Sequence, residues 1–286
     1  MRCRLISWCD RRGVSAWSSI HLGAGLLLYT LVTLPAALAD ELAIPIDPGT
    51  PSFAGLAFGA YPDYFGSDDQ AFGAAPLVRI KLSGERFLRV LGNEVRINLV
   101  EHTGWRLGPS AIWRLGRKDV DDKVVREVHE IDSSLDLGLF GGYAWRDAAE
   151  PRSQAGIQGW ATADVTGAYD GWTAGLGVYL MRPVARAVTL AAGAASTYGS
   201  GNYMDTYFGV TAADSVASGL PAYSAGGGLR DVRGWVVATV HLGPRWHVGA
   251  GALYTRLLGD AADSPIVEER GNADQWIYGA GVLYGW

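Results

Sequence analysis

The sequence predicts an antiparallel transmembrane β-barrel of about twelve strands. Three observations predict it. Long runs alternate apolar with small or polar residues. The connections between those runs are alternately short and long. Glycine and aromatic residues are abundant, with 39 Gly, 11 Trp and 13 Tyr, while charged residues make up only 19%. A strand turns successive side chains to opposite faces, so a lipid-facing strand carries apolar residues at every second position. Trp246, Val248, Ala250, Ala252 and Tyr254 fall on one face, with His247, Gly249, Gly251, Leu253 and Thr255 on the other. A soluble sandwich also alternates, but its strands average about 5–6 residues. Several runs here reach the roughly 9–11 residues that crossing a bilayer requires.

The N-terminus comes first in the chain. Arg2, Arg4, Arg11 and Arg12 precede an apolar run, Leu22 to Leu34, followed by Pro35 and Ala37-Leu38-Ala39 before Asp40. That is the layout of a cleavable secretory signal peptide. The 13-residue run falls short of the ~20 residues of a spanning helix. Residues 1–39 are therefore expected to be removed, leaving a single domain over 40–286. Both cysteines, Cys3 and Cys9, go with the leader, so neither thiolate chemistry nor a lipid-anchored cysteine is expected. Four arginines and one aspartate also go, moving the net charge from −5 to −8. A nucleic-acid partner is excluded, because phosphate binding wants a basic face.

Strands are expected at 53–61, 71–81, 86–91, 94–100, 105–115, 133–145, 155–166, 172–180, 187–197, 231–241, 246–256 and 275–286. The stretch 86–100 also reads as one bulged strand, which would reduce the barrel to ten. No segment carries an apolar stripe at helical spacing. If the first strand rises from the periplasm, the long connections 117–132, 198–230 and 257–274 all lie outside and the short ones inside, the asymmetry expected of outer-membrane barrels. The last strand places Tyr278, Ala280, Val282, Tyr284 and Trp286 on one face. Tyr284 and Trp286 resemble the C-terminal signal read by the outer-membrane assembly machinery, with Trp in place of the usual Phe.

Charged residues on the polar faces, Arg79, Lys81, Arg96, Arg106, Arg114, Asp136, Asp164, Asp231 and Arg233, are expected to face the lumen. On the lipid face each would cost roughly 2–4 kcal/mol at midplane. They either line a small pore or pair and fill it. Because Phe140, Trp160 and Trp235 point inward too, a mostly plugged lumen is expected.

Other chemistry finds little support. Of His102, His129, His241 and His247, only the last two share metal-ligand spacing, and a metal needs three or four converging ligands. Ser133 or Ser134 with His129, and Ser196 with His241, are the available hydrolase pairs, but no Gly-x-Ser-x-Gly elbow occurs. Asp119, Asp121 and Asp122 read as solvated loop charge. No catalytic residue, cofactor or resident metal is expected, and a lipid-modifying enzyme is the weakest of three readings. Lipid and lipopolysaccharide are expected neighbours.

Three loop segments carry a family resemblance. Pro62-Asp63-Tyr64-Phe65-Gly66-Ser67-Asp68-Asp69 follows the first strand. Tyr203-Met204-Asp205-Thr206-Tyr207-Phe208-Gly209-Val210-Thr211 lies in the longest connection, which continues through Ser218-Gly219-Leu220-Pro221-Ala222-Tyr223. Leu257-Leu258-Gly259-Asp260-Ala261-Ala262-Asp263-Ser264-Pro265-Ile266-Val267 precedes the last strand. Together with Arg106-Leu107-Gly108-Pro109, these resemble the MipA/OmpV family of MltA-interacting proteins. The resemblance implies a bacterial outer-membrane barrel without enzymatic activity. It also implies a scaffold role in murein assembly, joining a lytic transglycosylase to a penicillin-binding protein, with the outer loops available for contact. A narrow channel for small polar solutes is the alternative.

Overall fold

The computed structural model describes residues 50–150 and 152–286; the expected leader and its cleavage site lie outside the described residues. Twelve antiparallel strands close into a barrel, each paired with its neighbours in sequence and β1 paired with β12. They are β1 (Phe53–Pro62), β2 (Gln70–Lys81), β3 (Phe87–Leu91), β4 (Glu94–Asn98), β5 (Trp105–Arg114), β6 (Ser134–Arg146), β7 (Gln154–Asp164), β8 (Trp172–Ala185), β9 (Val188–Gly199), β10 (Gly228–His241), β11 (Trp246–Leu257) and β12 (Asp274–Gly285). Closure leaves no full-length sheet edge, the condition for β structure in lipid.

The ambiguous stretch 86–100 resolves as two strands joined at Gly92-Asn93, so the count is twelve, not ten. These two strands have five residues each, well short of the ~9–11 that span a bilayer. β2 accordingly pairs with β3 only from Leu77 to Lys81, while its Gln70–Pro76 portion pairs with β1 alone among the described residues.

Long segments connect the strands at one end, the loop end, and short turns such as 242–245 connect them at the other, the turn end. The outside is apolar. Two aromatic belts bound it, as interfacial anchoring requires. At the turn end Trp105 packs on Tyr143 at 5.1 Å, and Trp246 on Tyr284 at 5.0 Å. At the loop end Trp172 stacks on Tyr198 at 5.6 Å, and Tyr254 meets Trp276 at 5.0 Å.

The inside is packed. Leu91, Met181, Ala191, Trp235 and Leu253 form a buried cluster across the lumen, and Phe140, Trp160 and Ala195 form another. The Trp160 ring lies over Gly175, its cross-strand partner. A Cβ at Gly175 would come within 2.2 Å of that ring, so glycine is what lets the indole lie flat on the wall.

The loop end contains helices that the strand pattern does not predict. α1 (Gly201–Phe208) and α2 (Ala212–Ser218) lie in the β9–β10 connection. The single turns α3 (Gly259–Ala262) and α4 (Pro265–Glu268) lie in the β11–β12 connection. Each is shorter than the 11–18-residue window on which helical periodicity is read. Local caps mark them instead: Ser200 accepts from the Tyr203 N–H, and Thr211 with Asp214 forms a reciprocal capping box.

Candidate functional site

The loops fold onto each other and into the mouth of the barrel. Tyr203, Met204, Tyr207 and Phe208 occupy one face of α1, all buried. They pack with Tyr169, Leu257, Ala261 and Val267. Tyr203 stacks on Tyr207 at 4.6 Å and meets Tyr169 edge-on at 5.2 Å. The three signature segments, far apart in sequence, therefore meet in one plug. Ser264 Oγ donates to the Phe208 carbonyl at 2.6 Å. Gln275 Oε1 accepts from the Gly66 N–H at 3.2 Å, and its Nε2 donates to the Ser67 carbonyl at 2.9 Å. Asp260 Oδ2 accepts from the Gly226 N–H at 2.6 Å.

Neighbouring loops lock the plug. His129 Nδ1 lies 2.8 Å from Asp214 Oδ2. Burial alone would raise the Asp214 carboxyl. Hydrogen bonds from His129 and from the Thr211 backbone and hydroxyl outweigh it and hold the group down at about 2. Arg270 pairs with Asp122 at 2.5 Å. Pro62 ends β1, and Asp63 Oδ2 accepts from the Asp121 N–H at 2.9 Å. Gly209 caps α1 and Gly219 caps α2, Ser218 donates to the Asp214 carbonyl, and Pro265 opens α4. Outer loops available for contact are the expectation; within these segments Tyr203, Met204, Tyr207 and Phe208 are turned inward, which removes their apolar surface from water.

Beneath the plug lies a charged layer that no water-exposed pore would leave so covered. Asp231, wholly buried, accepts from Arg230 Nε at 2.6 Å and from Arg233 Nη2 at 2.8 Å. Arg114 Nε donates to Asp136 at 2.6 Å, and Asp136 also accepts from Tyr169 Oη at 2.5 Å. Arg233 donates to Thr197 on the neighbouring strand β9, whereas Arg114 reaches Thr173 on β8, three strands away. Asp164 is the cross-strand partner of Asp136 at the edge of this layer. Its carboxylate accepts from the Thr166, Gly167, Tyr169 and Asp170 N–H groups and so caps the β7–β8 loop.

The turn end is different. Arg79, Arg89, Arg96, Arg106 and Arg146 surround a cavity of about 80 Å³ that Gln154 and Gln158 also line. Among the described residues two carboxylates pair with them. Glu94 pairs with Arg96 and with Arg89 at 3.3 Å, and Glu85 lies 3.8 Å from Arg106 and 3.5 Å from Arg146. Among the described residues, every charged side chain lining this vestibule is an arginine. Arg96 Nη1 donates to Gln158 at 3.0 Å, while its Nη2 is buried without a partner. Alternation marked Arg79, Arg96 and Arg106 but passed over Arg89 and Arg146. Arg89 is the cross-strand partner of both Arg79 and Arg96, so the register of the short hairpin was the missing signal.

The remaining candidates are not assembled into a site. Ser134 Oγ donates to Asp136, whereas His129 is held by Asp214 and lies 3.2 Å from the Thr206 carbonyl. Ser196 donates to the Asp231 carbonyl, and His241 pairs with Thr189 and His247. Among the described residues no three His, Cys, Asp or Glu side chains converge as a metal site. Asp122 caps the turn at Val125–Glu127 through the Val124 and Val125 N–H groups. Tyr284 and Trp286 stack at 6.4 Å in the turn-end belt.

The family model of MltA-interacting protein MipA matches residues 54–286. Outer membrane protein Omp26La of Vibrio anguillarum is 30% identical over 160 residues, covering 56% of this chain and 57% of its own length. Outer membrane protein OmpV of Vibrio cholerae is 38% identical over 88 residues, covering 31% and 32%. The chain thus spans about half, or less, of the length of these two relatives. YiaT of Escherichia coli K12 is 27% identical over 250 residues, covering 84% and 90%. Among solved structures, the NanC porin aligns with a TM-score of 0.49 and 10% identity, over 82% of this chain and 100% of the porin. The protein is an outer-membrane β-barrel, and it belongs to the MipA, or MltA-interacting protein, family.

Proposed function

We propose that this protein is a closed, non-enzymatic outer-membrane barrel that serves as a scaffold in cell-envelope assembly, with its basic vestibule as the periplasmic docking site. The observation that carries this reading is the filled lumen: plug, charged layer and apolar cluster occupy it in succession from the loop end. At the turn end the arginine vestibule is concave. With long connections outside and short ones inside, as in outer-membrane barrels, that vestibule would face the periplasm. The periplasmic turns alone are small against the ~800 Å² per partner of a standard interface. An acidic segment inserted into the vestibule would add desolvated, bidentate contacts that flat turns lack. The family name points to a lytic transglycosylase as the partner, and a penicillin-binding protein would complete a murein-synthesis assembly. Cleavage after Ala39 would deliver the 40–286 domain, and Tyr284 with Trp286 would present it to the assembly machinery.

Two measurements test this. The refolded 40–286 chain in a planar bilayer should insert and remain electrically silent. In envelope crosslinking, Arg79→Glu with Arg106→Glu should lose the periplasmic partner that the unsubstituted barrel captures. Stable open steps would instead support a narrow channel with the vestibule arginines as its anion selector.

A further inference from the structure

The short β3–β4 hairpin leaves an opening in the barrel wall. Its tip is held by hydrogen bonds from the Gly92 N–H to the Pro76 carbonyl and from the Trp113 N–H to the Asn93 carbonyl. Above that level β2 continues for the six residues Gln70–Ala75 with β1 as its one strand neighbour among the described residues. Those six residues are about 20 Å of strand. β2 and, from Arg114 onward, the segment that follows β5 flank the opening, three strand spacings apart at the hairpin tip, about 14 Å. The loop after β5 roofs it where Asp121 donates to Asp63. The opening lies in the loop-end half of the wall, hence toward the outer leaflet. Its rim is apolar: Phe72 is 76% exposed, and Trp113 and Leu115 also face out.

Behind the opening is a cavity of about 120 Å³, bounded by the hairpin tip at Asn93, by Tyr64 and Phe65, and by Tyr203 and Tyr207 of the plug. Arg117 lines it. This side chain is only 5% exposed. It donates to the Tyr207 carbonyl at 3.0 Å and to the His129 carbonyl at 3.3 Å. Its Nε is buried without a partner. The neighbouring Arg114 is neutralised by Asp136, and no carboxylate comes within ion-pairing distance of Arg117 among the described residues. Burial lowers Arg117 to about 10, so it stays charged at neutral pH. A buried cation satisfied only by backbone carbonyls is costly to keep, and an anion is its natural complement.

We infer that this lateral opening binds a single-chain anionic amphiphile from the outer membrane, a long-chain carboxylic acid, with the carboxylate on Arg117 and the tail passing between β2 and the segment that follows β5 into the lipid. The cavity volume favours this occupant. It is slightly smaller than the ~150 Å³ cavities that hold benzene. It therefore takes a carboxylate and the first few methylenes, and excludes a sugar headgroup. The apolar rim suits the emerging tail.

The test uses the refolded barrel in phospholipid bilayers with a hexadecanoic acid carrying a mid-chain diazirine, photolysed and mapped by mass spectrometry. Adducts are expected on 70–76 and 113–115, and the corresponding fatty alcohol should not concentrate there. Arg117→Gln should weaken labelling of these segments about tenfold, or ~1.4 kcal/mol, with heat-modifiability retained. Should that variant fail to fold, the acid-against-alcohol contrast in the unsubstituted barrel still decides. Adducts spread evenly over the lipid-facing belt, including Leu139, Leu176 and Val236, or equal labelling by acid and alcohol, would overturn the inference.

Discussion

Replacing Asp231 with asparagine probes whether the lumen is dry. Asp231 is wholly buried and balances two arginines, Arg230 at 2.6 Å and Arg233 at 2.8 Å. Asparagine keeps the volume and one acceptor but removes the charge, leaving two guanidiniums facing each other in a covered site. Removing one partner of a buried ion pair costs about 3–5 kcal/mol, against about 0–1 for an exposed pair. Arg256 and Asp274 form such an exposed pair, with side chains 46% and 40% accessible, so Asp274→Asn is the internal control. Urea unfolding in lipid vesicles, followed by the electrophoretic shift between folded and unfolded barrel, gives both values. Asp231→Asn should be destabilised by about 3 kcal/mol or more, and Asp274→Asn by less than about 1. If both variants fall within about 1 kcal/mol of the unsubstituted barrel, water reaches the two arginines and the lumen is not filled.

Acid should loosen the plug. The Asp214 carboxyl is depressed to about 2 from an ordinary 3.8, so its contribution is fully present above about pH 4 and is lost as pH falls toward 2. The difference is worth about 2 kcal/mol. Proteolysis of the 198–227 loop with an acid-active protease should accelerate over that window, and Asp214→Asn should show the fast rate at every pH. Gly66 has φ +102°, and an added Cβ would lie 2.5 Å from Val267 Cγ2; Gly66→Ala should cost roughly 1–3 kcal/mol, read by the same unfolding assay. Phe208→Ala empties a fully buried position in the plug and should cost about 3–5 kcal/mol, with transient conductance steps appearing where the parent barrel is silent.

The transmembrane architecture was legible because its signal is local and repeated. Outside the ambiguous stretch 86–100, the strands from Phe53–Pro62 to Asp274–Gly285 announce themselves by a period of two, and a shift of one residue would turn an apolar set into the lumen. The inward sets containing Arg96, Arg114, Asp136, Asp231 and Arg233 follow from the same parity. The plug was not legible in that way. The apolar positions of α1 occupy two turns, too short to show a period, and its partners Val267 and Leu257 come from another loop.

Sequence alone therefore determined the fold class, the faces of the strands, the alternation of long and short connections and the family, since each rests on neighbours along the chain. Tertiary structure decided that the signature segments close the mouth, that Arg89 and Arg146 join the basic vestibule, and that Arg117 lies behind an opening. The length of the β3–β4 hairpin belongs with these. It depends on which residues of β2 and β5 find partners across the sheet, and pairing energies between strands cannot be read from any one strand.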